Sequence, residues 1–231
     1  MEFLGNKFLL LALTFGAFAL YKEVQRRIGW VLFNPILLTI ATLIVFLKLA
    51  GISYETYSEG GDLIVFWLKP AVVALGVPLY LQLEMIKKQL LPILISQLVG
   101  CLVGLVSVIM IAKGLGASTE VICSLAPKSV TTPIAMEVAN ATGGIPSLTA
   151  AVVVMVGLLG AVMGFKILGL GAVKSPIAQG LSMGTASHAI GTSAAMEISR
   201  KYGAYASLGL TLNGILTALL APMVLKLLGI I

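Results

Sequence analysis

The sequence predicts an all-α polytopic membrane protein with about six spans and two re-entrant, broken helical hairpins related as an inverted repeat. Three observations carry this. First, 59% of the 231 residues are hydrophobic and only 10% are charged, whereas a soluble domain carries roughly 25% charged residues. So few charges cannot cover a water-facing surface, and lipid must be the solvent for much of the chain. Second, apolar runs recur at the length of about 20 residues that crosses roughly 30 Å of hydrocarbon. Third, the stretch Ala126 to Ala139 returns sixty positions on as Ala186 to Ser199. Lys128 then meets His188, Thr132 meets Thr192, and Met136-Glu137-Val138 meets Met196-Glu197-Ile198. The match continues with Ser147-Leu148 onto Ser207-Leu208. A duplication inside an apolar chain is a pattern of transporter folds.

Span one covers about 5–21 and ends in the basic cluster Lys22, Arg26 and Arg27. The charged Tyr21–Arg27 stretch has no small-residue cleavage site before it, so the run is read as a span and not as a signal peptide. Span two covers about 30–50, with Trp30 as an interface anchor, and the acidic loop 51–62 follows. Span three, about 63–82, holds Pro70 and Pro78, which suggest a kink, and Lys69, which snorkels. Span four covers about 91–112. Cys101 and Cys123 lie in apolar runs and read as small buried hydrophobes. The formal charge of +6 reads as topology information, not as a nucleic-acid surface.

The excess of basic residues on the cytoplasmic side orients the chain. Lys22, Arg26, Arg27, Lys87 and Lys88 go inside, and the acidic loop goes outside. If 118–140 enters and returns on the outer face, Lys166, Lys174, Arg200 and Lys201 also fall inside. A full crossing there would put Lys166 and Lys174 outside, so the re-entrant reading is preferred. Each repeat, 116–172 and 173–231, then holds one re-entrant segment and one span, and the two are inverted. Residues 1–115 are expected to form scaffold and oligomerisation spans, and 116–231 an elevator-like unit that moves against them.

Both segments are broken. In the first, Ser118 or Thr119 caps a helix that Pro127 ends, and a second piece starts at Pro133 with Thr132 as N-cap. In the second, Ser175-Pro176 opens the first piece, the break covers 187–192 with Gly191 for backbone freedom, and Thr192 caps the next piece. Unwound backbone in a bilayer is tolerated only in protein or at a wet cavity. Helix N-termini aimed at such a cavity favour an anion. Lys128 and His188 add positive character, and Ser129, Thr131, Thr132, Thr192 and Ser193 add hydroxyl donors. Together they describe a site for a small carboxylate. Asn213, in the last span, either faces the site or caps a neighbouring helix. Glu137 and Glu197 either carry a coupling proton or neutralise Lys128 and another cation. Gly157, Gly160 and Gly164 read as packing contacts. No metal site and no cofactor are expected, and coupling to H+ or another cation is one of the two readings of Glu137 and Glu197, charge balance being the other.

The break motifs resemble the LrgB/CidB family. The resemblance is carried by Pro127-Lys-Ser-Val-Thr-Thr-Pro-Ile-Ala-Met-Glu137, Gly143-Gly-Ile-Pro-Ser-Leu-Thr149 and Gly184-Thr-Ala-Ser-His-Ala-Ile-Gly-Thr192, with Ala71-Val-Val-Ala-Leu-Gly-Val-Pro-Leu-Tyr80 as a fourth block. It covers the chain from about residue 30. It implies a bacterial inner-membrane protein, often paired with a small LrgA/CidA-type partner, and described as antiholin-like in murein hydrolase export and lysis. It also implies similarity to proteins linked to pyruvate uptake and to the membrane region of the plastid glycolate/glycerate translocator. The chain departs from many relatives at Lys69, where they carry Gly.

Two functional classes follow. One is a secondary transporter of small monocarboxylates such as pyruvate, glycolate or glycerate, working by alternating access and, by analogy, as a homodimer. The other is a regulator of a lysis pore without a substrate of its own. An intramembrane hydrolase built on Lys128-Ser129 or His188 is disfavoured, because sequence adjacency does not make a catalytic dyad, so no enzyme is expected.

Overall fold

The computed structural model describes residues 6–28, 35–61, 66, 80 and 83–231. The readings for Trp30, Lys69, Pro70 and Pro78 lie outside the described residues. The chain forms two compact units, Met1–Ala74 and Leu75–Ile231. Every regular element among the described residues is helical, and four helices are long and apolar enough to cross a membrane.

In the first unit, α1 (Lys7–Ile28) packs beside α2 (Pro35–Ala50). The Tyr21 hydroxyl meets Thr42 Oγ1 at 2.6 Å. The expected acidic loop holds a helical stretch over 54–61. Ser53 starts it by accepting from Thr56 N. The backbone N–H of Glu55 itself, then the Ser53 hydroxyl, hold the Glu55 carboxyl below its usual pKa. A charged acid in a first helical turn is favoured by the helix dipole.

The second unit begins with the short α3 (Leu83–Lys87) and the long α4 (Leu90–Gly114). Buried positions of α4 form one narrow stripe: Ile93, Gln97, Cys101, Leu105, Ile109 and Ala112. The four-residue spacing is that of a single helical face; much of the rest of the helix is exposed and apolar, as lipid contact requires. Cys101 and Cys123 are buried and free, as the sequence suggests.

Next come α5 (Thr119–Leu125) and α6 (Thr132–Ala141), separated by the expected break. Ser118 is the N-cap of α5, accepting from Val121 N. The N-cap of α6 is Thr131, one residue earlier than Thr132, and its side chain makes no capping bond. The chain reverses at the break. Ile145 N donates to Ser124 Oγ at 2.7 Å, and Thr149 Oγ1 lies 3.0 Å from Ser124 O. A methyl on Gly144 would meet Ser124 N at 2.8 Å, so only glycine fits. The end of α6 therefore lies back beside α5.

From there α7 (Pro146–Leu170) runs the length of the unit to α8 (Pro176–Ile198). Ser175 caps α8 by accepting from Ala178 N, as expected. The break in α8 is shorter than expected: only Ser187 (φ −126°, ψ 15°) and His188 (φ 42°, ψ −135°) leave helical geometry. Gly191 and Thr192 are already helical, so Thr192 is no cap. Gly191 supplies space and not a positive φ. A Cβ there would meet Met183 O at 2.6 Å. In a straight helix, positions eight apart lie about 12 Å from one another, so α8 folds back on itself at His188. Met183, Ala195 and Ala206 accordingly share one buried cluster.

The last helix, α9 (Arg200–Leu227), packs along the first half of α8. Gly180, Gly184 and Gly209 permit backbone-to-backbone approach, since a methyl on Gly184 would overlap Ala206 O. Gly157 and Gly160 of α7 do the same for the His188 ring and the Ser187 side chain, and Gly164 for Met183. These three are packing glycines, as the spacing suggests. Overpacking costs about 1–3 kcal/mol per site. Gly184→Ala should therefore lower the unfolding temperature in detergent by several degrees, whereas Gly104→Ala, where a methyl meets nothing within 4 Å, should leave it unchanged. Equal effects of the two, read by thermal-shift chromatography, would contradict this packing.

Candidate functional site

Asn213 is the residue that joins the two breaks. It lies midway along α9, about 20 Å from either end at 1.5 Å per residue. It is 2% exposed. Its Nδ2 donates to Ser129 O in the first break at 3.0 Å and to Thr185 O before the second at 2.9 Å. Two amide protons thus serve two backbone carbonyls, each of which has two lone pairs to offer. The Asn213 Oδ1 is buried and has no partner among the described residues.

A second tie comes from the other repeat. His188 is 3% exposed, and its Nε2 lies 2.9 Å from Val153 O on α7. A carbonyl only accepts, so Nε2 carries the proton. Val153 and Asn213 are themselves sixty positions apart. Each repeat's long helix therefore holds the other repeat's break, one through a backbone oxygen and one through a side chain. Val130, Ala135 and Val153 pack as one apolar cluster at this level.

A cavity of about 880 Å3 opens between α4, the first break, α7, the first half of α8 and α9. Lys128, Ser129 and Asn213 line it, together with Gln97 and Thr185. Lys128 is half-buried, and its Nζ donates to Ser129 Oγ at 3.1 Å. Among the described residues no carboxylate lies within ion-pair distance of it. A half-buried ammonium held by one hydroxyl, in walls that are largely apolar, favours an anion.

The remaining expected residues sit elsewhere. Thr131 and Thr132 start α6, half-buried and outside the cavity lining. Thr192 is buried with its hydroxyl on His188 O, and Ser193 is exposed with its hydroxyl on Ala189 O. Such bonds to the preceding turn are the usual fate of hydroxyls in membrane helices. Gly191 packs on Met183, and His188 faces α7. Glu137 and Glu197 are both exposed on the second pieces, and Glu137 forms no ion pair with Lys128. Thus Lys128, Ser129 and Asn213 come together, and the second repeat contributes Thr185 and Ser187 to the lining instead of His188, Thr192 and Ser193. Sequence reasoning passed over Gln97. The available signal was a lone amide in the middle of an otherwise apolar span.

These features define a multi-pass, all-helical membrane protein with two interrupted helices. The chain belongs to the LrgB-like family, whose model matches residues 14–227. It is 39% identical over 205 residues to the uncharacterized protein YwbG of Bacillus subtilis (strain 168), covering 89% of this chain and 91% of that one. It is 36% identical over 201 residues to the antiholin-like protein LrgB of Bacillus mycoides (strain KBAB4), with 87% of each chain covered, and to that of Bacillus cereus (strain B4264) to the same extent. No solved structure matches it.

The burial of each position sets its reactivity. In a background lacking Cys101 and Cys123, Ser129→Cys should react with a small water-soluble maleimide in intact membranes, and Thr192→Cys, at a position 1% exposed, should be at least about tenfold slower, since labelling of a buried site requires local opening. Equal labelling rates would contradict the placement of the cavity.

Proposed function

We propose that this protein is a secondary transporter of small monocarboxylates, pyruvate, glycolate and glycerate being the class, working by alternating access in the cell membrane. The observation that carries this reading is Lys128, without an ion-pair partner among the described residues, in a cavity at the level where Asn213 joins both breaks. Interrupted helices meeting midway through a bundle are the usual construction of a transporter's ligand site.

The inverted-repeat reading draws support from the two reversals. The first hairpin opens beside the start of α7, where Ile145 meets Ser124. The second opens toward the end of α7, where Phe165 and Tyr202 stack edge to face at 6.0 Å between centroids. Their tips converge from opposite ends. In this reading α4 and the spans before it are scaffold, the repeats move as an elevator, and the scaffold dimerises or receives a small LrgA/CidA-type partner. Glu137 and Glu197 are the candidates for proton coupling, since both side chains are exposed and neither forms an ion pair among the described residues.

The names of the Bacillus relatives favour a second reading, an antiholin-like regulator of murein hydrolase export without a substrate. The two make opposite demands on Lys128. Proteoliposomes of the wild type should accumulate at least one labelled acid of the class, faster under an inward proton gradient. A charged hydrogen bond is worth about 1.5–3 kcal/mol, so Lys128→Ala should cut initial uptake by about 10- to 100-fold, with Lys128→Arg keeping part of it. Absence of uptake of any such acid, with or without the small partner, together with a lysis phenotype that Lys128→Ala leaves untouched, would favour the regulator.

A further inference from the structure

Gln97 stands out on α4. It is the one amide in that helix's buried stripe, and it is 3% exposed. An amide in a lipid-facing span is costly unless it has partners. Its partner is Thr185, whose Oγ1 lies 2.6 Å from Gln97 Oε1 and 2.7 Å from Leu181 O. A hydroxyl has a single proton, so it cannot donate to two oxygens. A half-turn of the amide resolves the conflict, because the two ends of a Gln amide are assigned from their bonding partners. Nε2 then donates to Thr185 Oγ1, the Thr185 hydroxyl donates to Leu181 O, and the Gln97 carbonyl oxygen is left for the cavity that Gln97 lines.

Gln97 is joined to the cation of the site through a short chain of residues. Thr185 gives its carbonyl to Asn213, Asn213 also holds Ser129, and Ser129 holds the Lys128 ammonium. Gln97 and Lys128 line the same cavity, so an acid held by Lys128 shares that space with the Gln97 amide. A hydroxyl on the carbon next to the carboxylate can donate to a carbonyl oxygen. A keto oxygen on that carbon cannot, and two acceptors would then face each other with no proton between them.

We propose that Gln97 is the specificity-determining residue of this cavity, turning an acceptor toward the bound acid and so preferring 2-hydroxy to 2-oxo carboxylates. The inference rests on the anion reading of the cavity and adds to it a side chain outside the two repeats. A packing role alone would affect both acids equally, so the ratio of affinities is the deciding quantity.

Lactate and pyruvate have the same carbon skeleton and differ only in this oxygen. Their equilibrium binding to the full-length protein in nanodiscs, by calorimetry, provides the test. Loss of one hydrogen bond with a left-over acceptor is worth about a factor of ten. Wild type should bind lactate about tenfold more tightly than pyruvate. Gln97→Leu should bring the two within about twofold while still binding pyruvate. Thr185→Val keeps the side-chain shape, removes the hydroxyl that orients the amide, and should lower the ratio in the same direction. If wild type binds both acids equally, or prefers pyruvate, or if the ratio survives in a folded Gln97→Leu or Thr185→Val variant, the assignment of Gln97 is overturned and the anion site stands. If wild type binds neither acid, the anion site itself falls and the inference falls with it.

Discussion

A peptide carbonyl that leaves a helix in the middle of a bilayer must find a donor there, because the lipid offers none. The second unit meets this demand at two places with one side chain. Asn213 gives one amide proton to Ser129 O and the other to Thr185 O. Its position is set by α9, a 28-residue helix locked against α8 where Gly180, Gly184 and Gly209 let the backbones touch. The breaks are thus fixed to each other through a rigid element. Without that donor, each carbonyl would lose one hydrogen bond, worth about 0.5–1.5 kcal/mol.

Much of this was legible in the sequence because it depends on local chemistry. Ser118 and Ser175 before helical runs, Pro127 after one, and Pro176 at the start of another are signals that one turn of backbone decides. The sixty-residue echo located both breaks. The echo did not reveal that equivalent residues end in different surroundings. His188 takes a positive φ and turns to Val153 O, so its break closes in two residues, whereas the first break, with Pro127 and Pro133, stays open over 126–131. Gly191 is needed for the approach of Met183 O, a contact eight residues back that exists only once the helix has reversed. Gln97 lies outside the repeat altogether, and only tertiary packing pairs it with Thr185.

The divergence of Lys128 from His188 gives the two halves distinct duties. One break is the tighter: Ser187 and His188 pack against Gly160 and Gly157, only Ser187 of the two reaches the cavity lining, and the Thr192 hydroxyl returns to its own backbone. The other break exposes its side chains to the cavity. A ligand site at the meeting of duplicated elements therefore need not be symmetric. The repeat supplies two reversals of the chain, and the sequence differences decide which of them presents charge.

The same asymmetry bears on the two functional readings. Placing an ammonium in a largely apolar cavity costs several kcal/mol unless a counter-charge or strong hydrogen bonds compensate it. Here Ser129 Oγ is the bonding partner seen for Lys128, and the acids of the same motifs, Glu137 and Glu197, point away to exposed positions. For a protein whose task is only to assemble with others, an apolar residue at 128 would pack the cavity wall without that cost. In the transport reading proposed above, an incoming carboxylate would supply the counter-charge, and would leave again because it gives up no more than one cation and a few hydrogen bonds. A cation with no counter-charge among the described residues, at the level where both chain reversals meet, is what moderate, reversible anion binding would require.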